Sequence, residues 1–272
     1  LKNKNFTLIE HDIIQPVNID ENIDYIFNLA CPASPKQYSK DPINTMRTSI
    51  FGVYNCIDIA LKHSACLIHA STSEIYGDPL EHPQSEDYQG NVNTIGDRAC
   101  YVESKRCCES IIADFVKKRK LNSTIVRIFN TYGPNMSRED GRVISNFIIN
   151  ALEGNNIEIY GNGNKTRSFC YIDDLIKAFY LLMDFPLFGP INIGRPDEIS
   201  IIELAQNIKN QLNSNSRILF KKEKLDDPSR RKPDISKASS ILGWEPKTSL
   251  DKGLKLTIKY FKNKYEPNTA KN

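Results

Sequence analysis

The chain of 272 residues carries 36 Lys and Arg against 33 Asp and Glu, a net charge of +3, and 40% of its residues are apolar. That length permits a sizeable core, built as one α/β unit or as two small domains. Acids are interspersed among the bases and no apolar run approaches a bilayer span, so neither a nucleic-acid partner nor a membrane segment is expected.

In chain order, residues 6–10, 24–30, 66–70 and 123–129 are short apolar runs bounded by polar residues and read as buried strands. Between them, residues 44–63 and 101–119 carry helical periodicity, and residues 117–120 read as the basic, solvated end of the second helix. Such alternation argues for a parallel sheet covered by helices, with ligands at the carboxyl ends of the strands. Ala30-Cys31-Pro32, the cluster from Ser71 to Glu74, and Asn130-Thr131 all fall at those ends. From Gly133 onward the pattern changes to helices, short strands and turns, with Arg142, Arg167, Arg230 and Arg231 spread through it. A smaller C-terminal lobe facing the sheet edge is expected. Tyr160-Gly-Asn-Gly-Asn164 reads as a turn between two strands rather than a phosphate loop, and the stretch from Lys262 is expected to fray. The seven cysteines lack Cys-x-x-Cys or His-rich spacing. Cys56, Cys66, Cys107, Cys108 and Cys170 are therefore expected to be buried free thiols, with no metal bound.

The chemistry concentrates at the head of the 101–119 helix. Tyr101 and Lys105 stand four residues apart, one helical turn, so phenol and ammonium project from the same face. A free tyrosine titrates near ~10, and a neighbouring ammonium favours its phenolate. That pair makes a general base for a sugar hydroxyl. The same spacing also describes a solvated helix pair; the Ser71-Thr-Ser-Glu74 cluster upstream favours the chemical reading.

Several stretches together resemble the UDP-glucuronate decarboxylases (UDP-xylose synthases) of the extended short-chain dehydrogenase/reductase superfamily. They are Ala33-Ser-Pro, Ala70-Ser-Thr-Ser-Glu-Ile-Tyr-Gly-Asp-Pro79, Asn93-Thr-Ile-Gly-Asp-Arg-Ala-Cys-Tyr101, Arg127-Ile-Phe-Asn-Thr-Tyr-Gly-Pro134, Asp140-Gly-Arg-Val-Ile-Ser-Asn-Phe147, Thr166-Arg-Ser-Phe-Cys-Tyr171 and Arg230-Arg-Lys-Pro-Asp234. The likeness runs from about Phe6 to Tyr260 and implies a Rossmann-like, doubly wound α/β fold with a smaller substrate lobe. Its expected division is 1–132, with 166–194 returning to it, for NAD, and 133–165 with 195–272 for the nucleotide sugar. A dehydratase would be expected to carry Asp between Thr72 and Glu74; this chain has Ser73 there, which favours decarboxylation.

By that resemblance, NAD is the cofactor and UDP-glucuronate the substrate, converted to UDP-xylose through a 4-keto intermediate. Tyr101 would take the 4-hydroxyl proton, Lys105 would lower its pKa and hold the nicotinamide ribose, and Thr72 would bond the 4-oxygen. Arg231 would orient the carboxylate and Glu74 would manage the proton or water at carbon 5; a salt-bridged strand end and an ion pair are their structural alternatives. Asp12 and Ile13 would face the adenine side, while Leu29, Thr48 and Ala70 would flank the cofactor, with Thr131 nearby. Cys31 replaces a family Ser and would keep a packing and backbone role on the cofactor side. Arg167 would meet the diphosphate or uridine ribose, and Arg142 the same groups or the cofactor. Asn130 would contact the diphosphate, Tyr160 the uracil, and Asn55 the substrate. Arg47, where the family usually has Lys, would reach the carboxylate or diphosphate, or stay solvated.

One departure stands out. The family opens with a strand, a Gly-x-x-Gly-x-x-Gly turn, a helix and an acid-ended strand, and none of these occurs here. The chain would thus begin at the third strand of a 3-2-1-4-5-6 order, leaving the 6–10 strand without a neighbour and the 24–30 strand as an apolar open edge. The expectation is a fragment of a longer chain, or a truncated form that binds NAD poorly. A nucleotide-sugar dehydratase or epimerase, or a truncated non-catalytic nucleotide-sugar-binding protein, remain the alternatives. A homodimer would form through the Tyr101 helix and the one before it, with Cys56, Ile57, Ile59, Cys107, Cys108 and Ile111 as an apolar face that could equally be internal. A cytoplasmic location is expected, or the Golgi or endoplasmic reticulum lumen if a preceding segment carries an anchor.

Overall fold

A computed structural model describes residues 4–185, 187–223 and 228–265. Its central feature is a parallel sheet of four strands in the order β1-β2-β3-β8. The first strand, β1 (Tyr25–Asn28), is followed by a short helix α1 (Pro35–Tyr38) and the long helix α2 (Pro42–His63). Asp41 caps α2 by accepting from the Asn44 amide, and Pro42 at the first helical position suits that start. The next strand is β2 (Cys66–Thr72), then α3 (Ala99–Arg119) and β3 (Ser123–Ile128). Alternate side chains of these strands enter different cores, as a period of two demands. Leu67 and Ile125 pack with Val53, Ile57 and Ile112 of α2 and α3. Ile68 and Val126 point the other way.

Beyond β3 come β4 (Thr131–Tyr132), α4 (Val143–Leu152), β5 (Ile157–Tyr160), β6 (Thr166–Ser168) and β7 (Cys170–Tyr171). Helix α5 (Ile172–Asp184) then leads to β8 (Gly189–Ile193), which returns beside β3. With α7 (Ser236–Leu242), α5 covers the second face of the sheet around Ile68, Val126, Ile191 and Trp244. Helices on both faces make this a Rossmann-like, doubly wound sheet. A separate core joins α4 and β5 to α6 (Ile201–Leu212) and α8 (Leu250–Tyr265). Short strands β9 (Glu198–Ser200), β10 (Ile218–Lys221) and β11 (Arg230–Arg231) complete it, β10 pairing with β5 and β11 with β6.

Several expectations change. Residues 6–10 form no strand; they are exposed, with Leu8 75% accessible, because no neighbouring strand among the described residues takes up their backbone groups. Strand 24–30 shortens to β1, which pairs only with β2 among the described residues, leaving Tyr25 and Phe27 about 40% accessible. The anticipated turn 160–164 joins β5 to β6, strands of two different sheets. Helix α8 stays regular through Tyr265, so 262–265 do not fray; later residues lie outside the described ones. Every cysteine is a free thiol, but Cys107 is exposed, while Cys56, Ile57 and Cys108 of the supposed dimer face are buried inside the chain's own core. Among the described residues no helix is long and apolar enough to cross a membrane, and no metal-ligand cluster occurs.

Candidate active site

Strand β2 delivers the central residues. Its last residue, Thr72, caps a 3-10 turn (Ser73–Tyr76) by accepting the Glu74 amide at 3.2 Å, which turns Glu74 back toward the sheet end. Gly77 closes that turn at φ 65°, and a Cβ there would lie 1.8 Å from the Asn91 carbonyl oxygen, so only glycine fits. Helix α3 passes alongside. Tyr101 is buried on its first turn, with the Thr72 hydroxyl close enough to its phenol to favour the charged form. One turn on, Lys105 is also buried and donates to the Ala70 carbonyl at 2.7 Å.

Electrostatics here differ from the sequence expectation. Burial drives the Tyr101 phenol well above the ordinary tyrosine range and Glu74 adds to that rise, against a downward pull from the Thr72 hydroxyl. Burial also lowers Lys105. Its ammonium is turned to the Ala70 carbonyl. The expected Lys105-lowered phenol is therefore replaced by a raised one: desolvation disfavours both charged forms.

Beside Tyr101 lies a carboxylate flanked by guanidiniums. Glu74 Oε1 accepts from Arg98 Nη2 at 2.8 Å, with Arg231 Nη1 3.7 Å away. Glu74, Arg98 and Arg231 line a cavity of about 710 Å³, walled also by Asn91, Lys165 and Ser229. Arg98 also donates from Nε to the Tyr38 hydroxyl at 2.9 Å, and the Tyr38 ring stacks on Tyr101 with 5.0 Å between centroids and 5° between planes. Burial and Glu74 push the Tyr38 phenol up to about 12. Behind β2, Glu109 accepts the Ser71 hydroxyl at 2.5 Å and Arg127 Nη2 at 2.8 Å.

Thr72, Glu74, Tyr101, Lys105 and Arg231 thus come together. Ala70 contributes its carbonyl, and Cys31 its thiol to Ser49 at 3.0 Å, on the same side as Tyr101 and Lys105. Other predicted residues stand elsewhere. The Asn55 amide donates to the Ile13 carbonyl at 2.7 Å, so it ties the turn of Asp12 and Ile13 to α2 instead of lining the cavity. Asp12 accepts the Ile14 amide in that turn. Arg167 is buried and holds the backbone carbonyl of Pro228 at 2.6 Å, a support for the cavity wall. Arg142 chelates Asp140 at the start of α4. The Asn130 carbonyl accepts the Cys170 amide, and the Thr131 hydroxyl donates to the Phe129 carbonyl. Thr48 is half-buried, and Arg47, Leu29 and Tyr160 are exposed.

Sequence reasoning passed over Arg98, Tyr38 and Glu109. Arg98 lies three residues before Tyr101, and Glu109 four beyond Lys105. The helical spacing that singled out the Tyr/Lys pair would have found both. Tyr38 meets the site only through the fold.

Comparison with known proteins agrees with this geometry. UDP-glucuronic acid decarboxylase 1 of Xenopus tropicalis is 47% identical over 97% of this chain and 62% of its own length. UDP-glucuronic acid decarboxylase 6 of Arabidopsis thaliana is 46% identical over 94% of this chain and 74% of its own. The chain thus spans about three fifths of the first of these relatives. Among solved structures, the UDP-glucuronic acid 4-epimerase of Bacillus cereus, in complex with UDP-glucuronic acid and NAD, superposes with a TM-score of 0.87 at 27% identity, covering 97% of this chain and 84% of that one. Residues 2–194 match the sequence profile of the NAD dependent epimerase/dehydratase family. With the doubly wound sheet and the buried tyrosine–lysine pair at its carboxyl edge, that match assigns the chain to the NAD dependent epimerase/dehydratase family.

Proposed function

We propose that the protein decarboxylates UDP-glucuronate to UDP-xylose through a 4-keto sugar, with NAD recycled. The observation that carries the reading is the meeting of buried Tyr101, stacked on Tyr38, with the Arg98–Glu74–Arg231 cluster at one sheet end. Tyr101 takes the proton of the sugar 4-hydroxyl while Thr72 holds that oxygen, the raised Tyr101 phenol being brought down by the positive charge that oxidised nicotinamide would place beside it. NAD, when bound, supplies the acceptance of hydride at carbon 4 and its return. The nicotinamide half fits the residues present. Lys105 has three donors, one of them on the Ala70 carbonyl, and the others suit ribose hydroxyls. Arg231 orients the carboxylate that leaves as carbon dioxide, and Glu74 manages the proton or water at carbon 5.

Asp12, Ile13, Leu29, Thr48, Cys31, Thr131 and Arg142 remain our proposed cofactor-side residues, and Arg47, Asn130 and Tyr160 the substrate-side ones; Asn55 and Arg167 act through the backbones they hold. The division into a cofactor part (1–132 with 166–194) and a nucleotide-sugar part is proposed with them. A homodimer through the outer face of α2 and α3 belongs to the same reading, resting on exposed Phe51 and Tyr54, the latter edge-on to Phe115. A cytoplasmic location, or the Golgi or endoplasmic reticulum lumen if a preceding segment carries an anchor, is proposed with the same reading.

The likeness to a UDP-glucuronic acid 4-epimerase keeps epimerisation as the second reading. Incubation with UDP-glucuronate and added NAD separates them. Carbon dioxide and a UDP-pentose are expected; a UDP-hexuronate epimer, or no conversion of a bound substrate, overturns decarboxylation.

A further inference from the structure

Tyr38 is fully buried at the end of α1, far in sequence from Thr72, Glu74, Arg98 and Tyr101. Its backbone and ring are fixed from separate directions. The carbonyl accepts the Thr45 hydroxyl at 3.2 Å, which ties α1 to the first turn of α2. The ring lies flat on Tyr101, and its hydroxyl accepts Arg98 Nε while Nη2 of the same guanidinium holds Glu74. A parallel, offset stack fixes the plane of both rings, and a planar guanidinium transmits orientation between its two acceptors.

We propose that Tyr38 is a positioning residue for Tyr101: its ring sets the plane of the Tyr101 phenol, and its hydroxyl, latched by Arg98, couples that plane to Glu74. The tyrosine that takes the proton and the carboxylate beside carbon 5 then move as one unit. This inference rests on the reading of Tyr101 as the proton-taking group. A one-ångström misplacement of such a group costs on the order of 10²-fold in rate.

The test uses the whole chain with ring-13C tyrosine, the Tyr101 resonance being identified by its loss in Tyr101→Phe. Tyr38→Phe keeps the stack and loses the latch; Tyr38→Leu loses both. Water reaching the Tyr101 ring in Tyr38→Leu should lower its titration midpoint by about one unit or more, whereas Tyr38→Phe should leave it within about half a unit. With UDP-glucuronate and NAD, kcat should fall about 10²-fold in Tyr38→Leu and about tenfold in Tyr38→Phe, with KM changed less than about threefold. If Tyr38→Leu does not fold, Tyr38→Met, which fills the gap without a ring, serves in its place. An unmoved Tyr101 midpoint in the ring-less variant overturns the proposal, as does wild-type kcat in an active protein. The titration reads out without turnover, so failure of the decarboxylase reading stays distinguishable from failure of this one.

Discussion

Tyr101 and Glu109 illustrate how differently two groups on one helix are used. Tyr101→Phe removes only the hydroxyl from a ring that keeps its stack on Tyr38. A loss of about 10³-fold in kcat is expected with the thermal midpoint nearly unchanged, read by turnover and circular dichroism on the same sample. Glu109→Ala does the reverse. It leaves the buried Arg127 guanidinium without its carboxylate and Ser71 without its acceptor. Stability should drop by about 3–5 kcal/mol in urea unfolding, and replacing Arg127 as well by Met should recover part of that loss. The sequence made Thr72, Glu74, Tyr101 and Lys105 legible because helical spacing and a strand end announce them. Arg167 and Asn55 were misjudged because chain position says nothing about whether a polar side chain faces a ligand or a neighbouring backbone carbonyl. Tyr38 was beyond reach, since only the packing of α1 against α3 brings the two rings together.

Helices α2 and α3 were readable almost to the residue, their apolar stripes being long enough to declare a period. Residues 6–10 show where that logic stops. A short apolar run records the wish to be covered, but a strand also needs a partner ladder, and none is offered there. The 3-10 turn after β2 is the opposite case, a small element fixed by a single atom's absence. Gly77→Ala drives a Cβ into the Asn91 carbonyl at a backbone angle alanine resists. A destabilisation of about 2–4 kcal/mol is expected, and KM for the nucleotide sugar should rise, because Gly77 and Asn91 both wall the cavity. Thermal melts and initial rates check the two effects; an unchanged KM would mean that the turn does not shape the substrate pocket.

For the molecule as a whole, acid sensitivity follows from His69. It is completely buried under the sheet end, bonded to Asn28, and both burial and Lys105 hold its pKa well below the ordinary histidine value. Folded protein therefore keeps His69 neutral while the unfolded chain binds a proton below about pH 6.5. Stability is full above that pH and falls by about 1.4 kcal/mol for each unit below it, until the buried ring itself titrates. Melting temperatures from pH 8 to about pH 5 should show that slope, and His69→Gln should flatten it. The parallel sheet covered by helices was legible at this level from strand–helix alternation, and its doubly wound order from the family resemblance. The pairing of β5 with β10 and of β6 with β11 was not, because two-to-four-residue strands carry too little pattern to declare partners.

The bare flank of β1 has a practical consequence. Its outward amides and carbonyls, framed by Tyr25 and Phe27, offer a template to any extended chain that drifts past. Concentrated solutions should scatter light increasingly with time, and Phe27→Lys should suppress that scattering while the melting temperature hardly moves. Storage dilute and cold would then preserve the protein better than any additive aimed at its thiols.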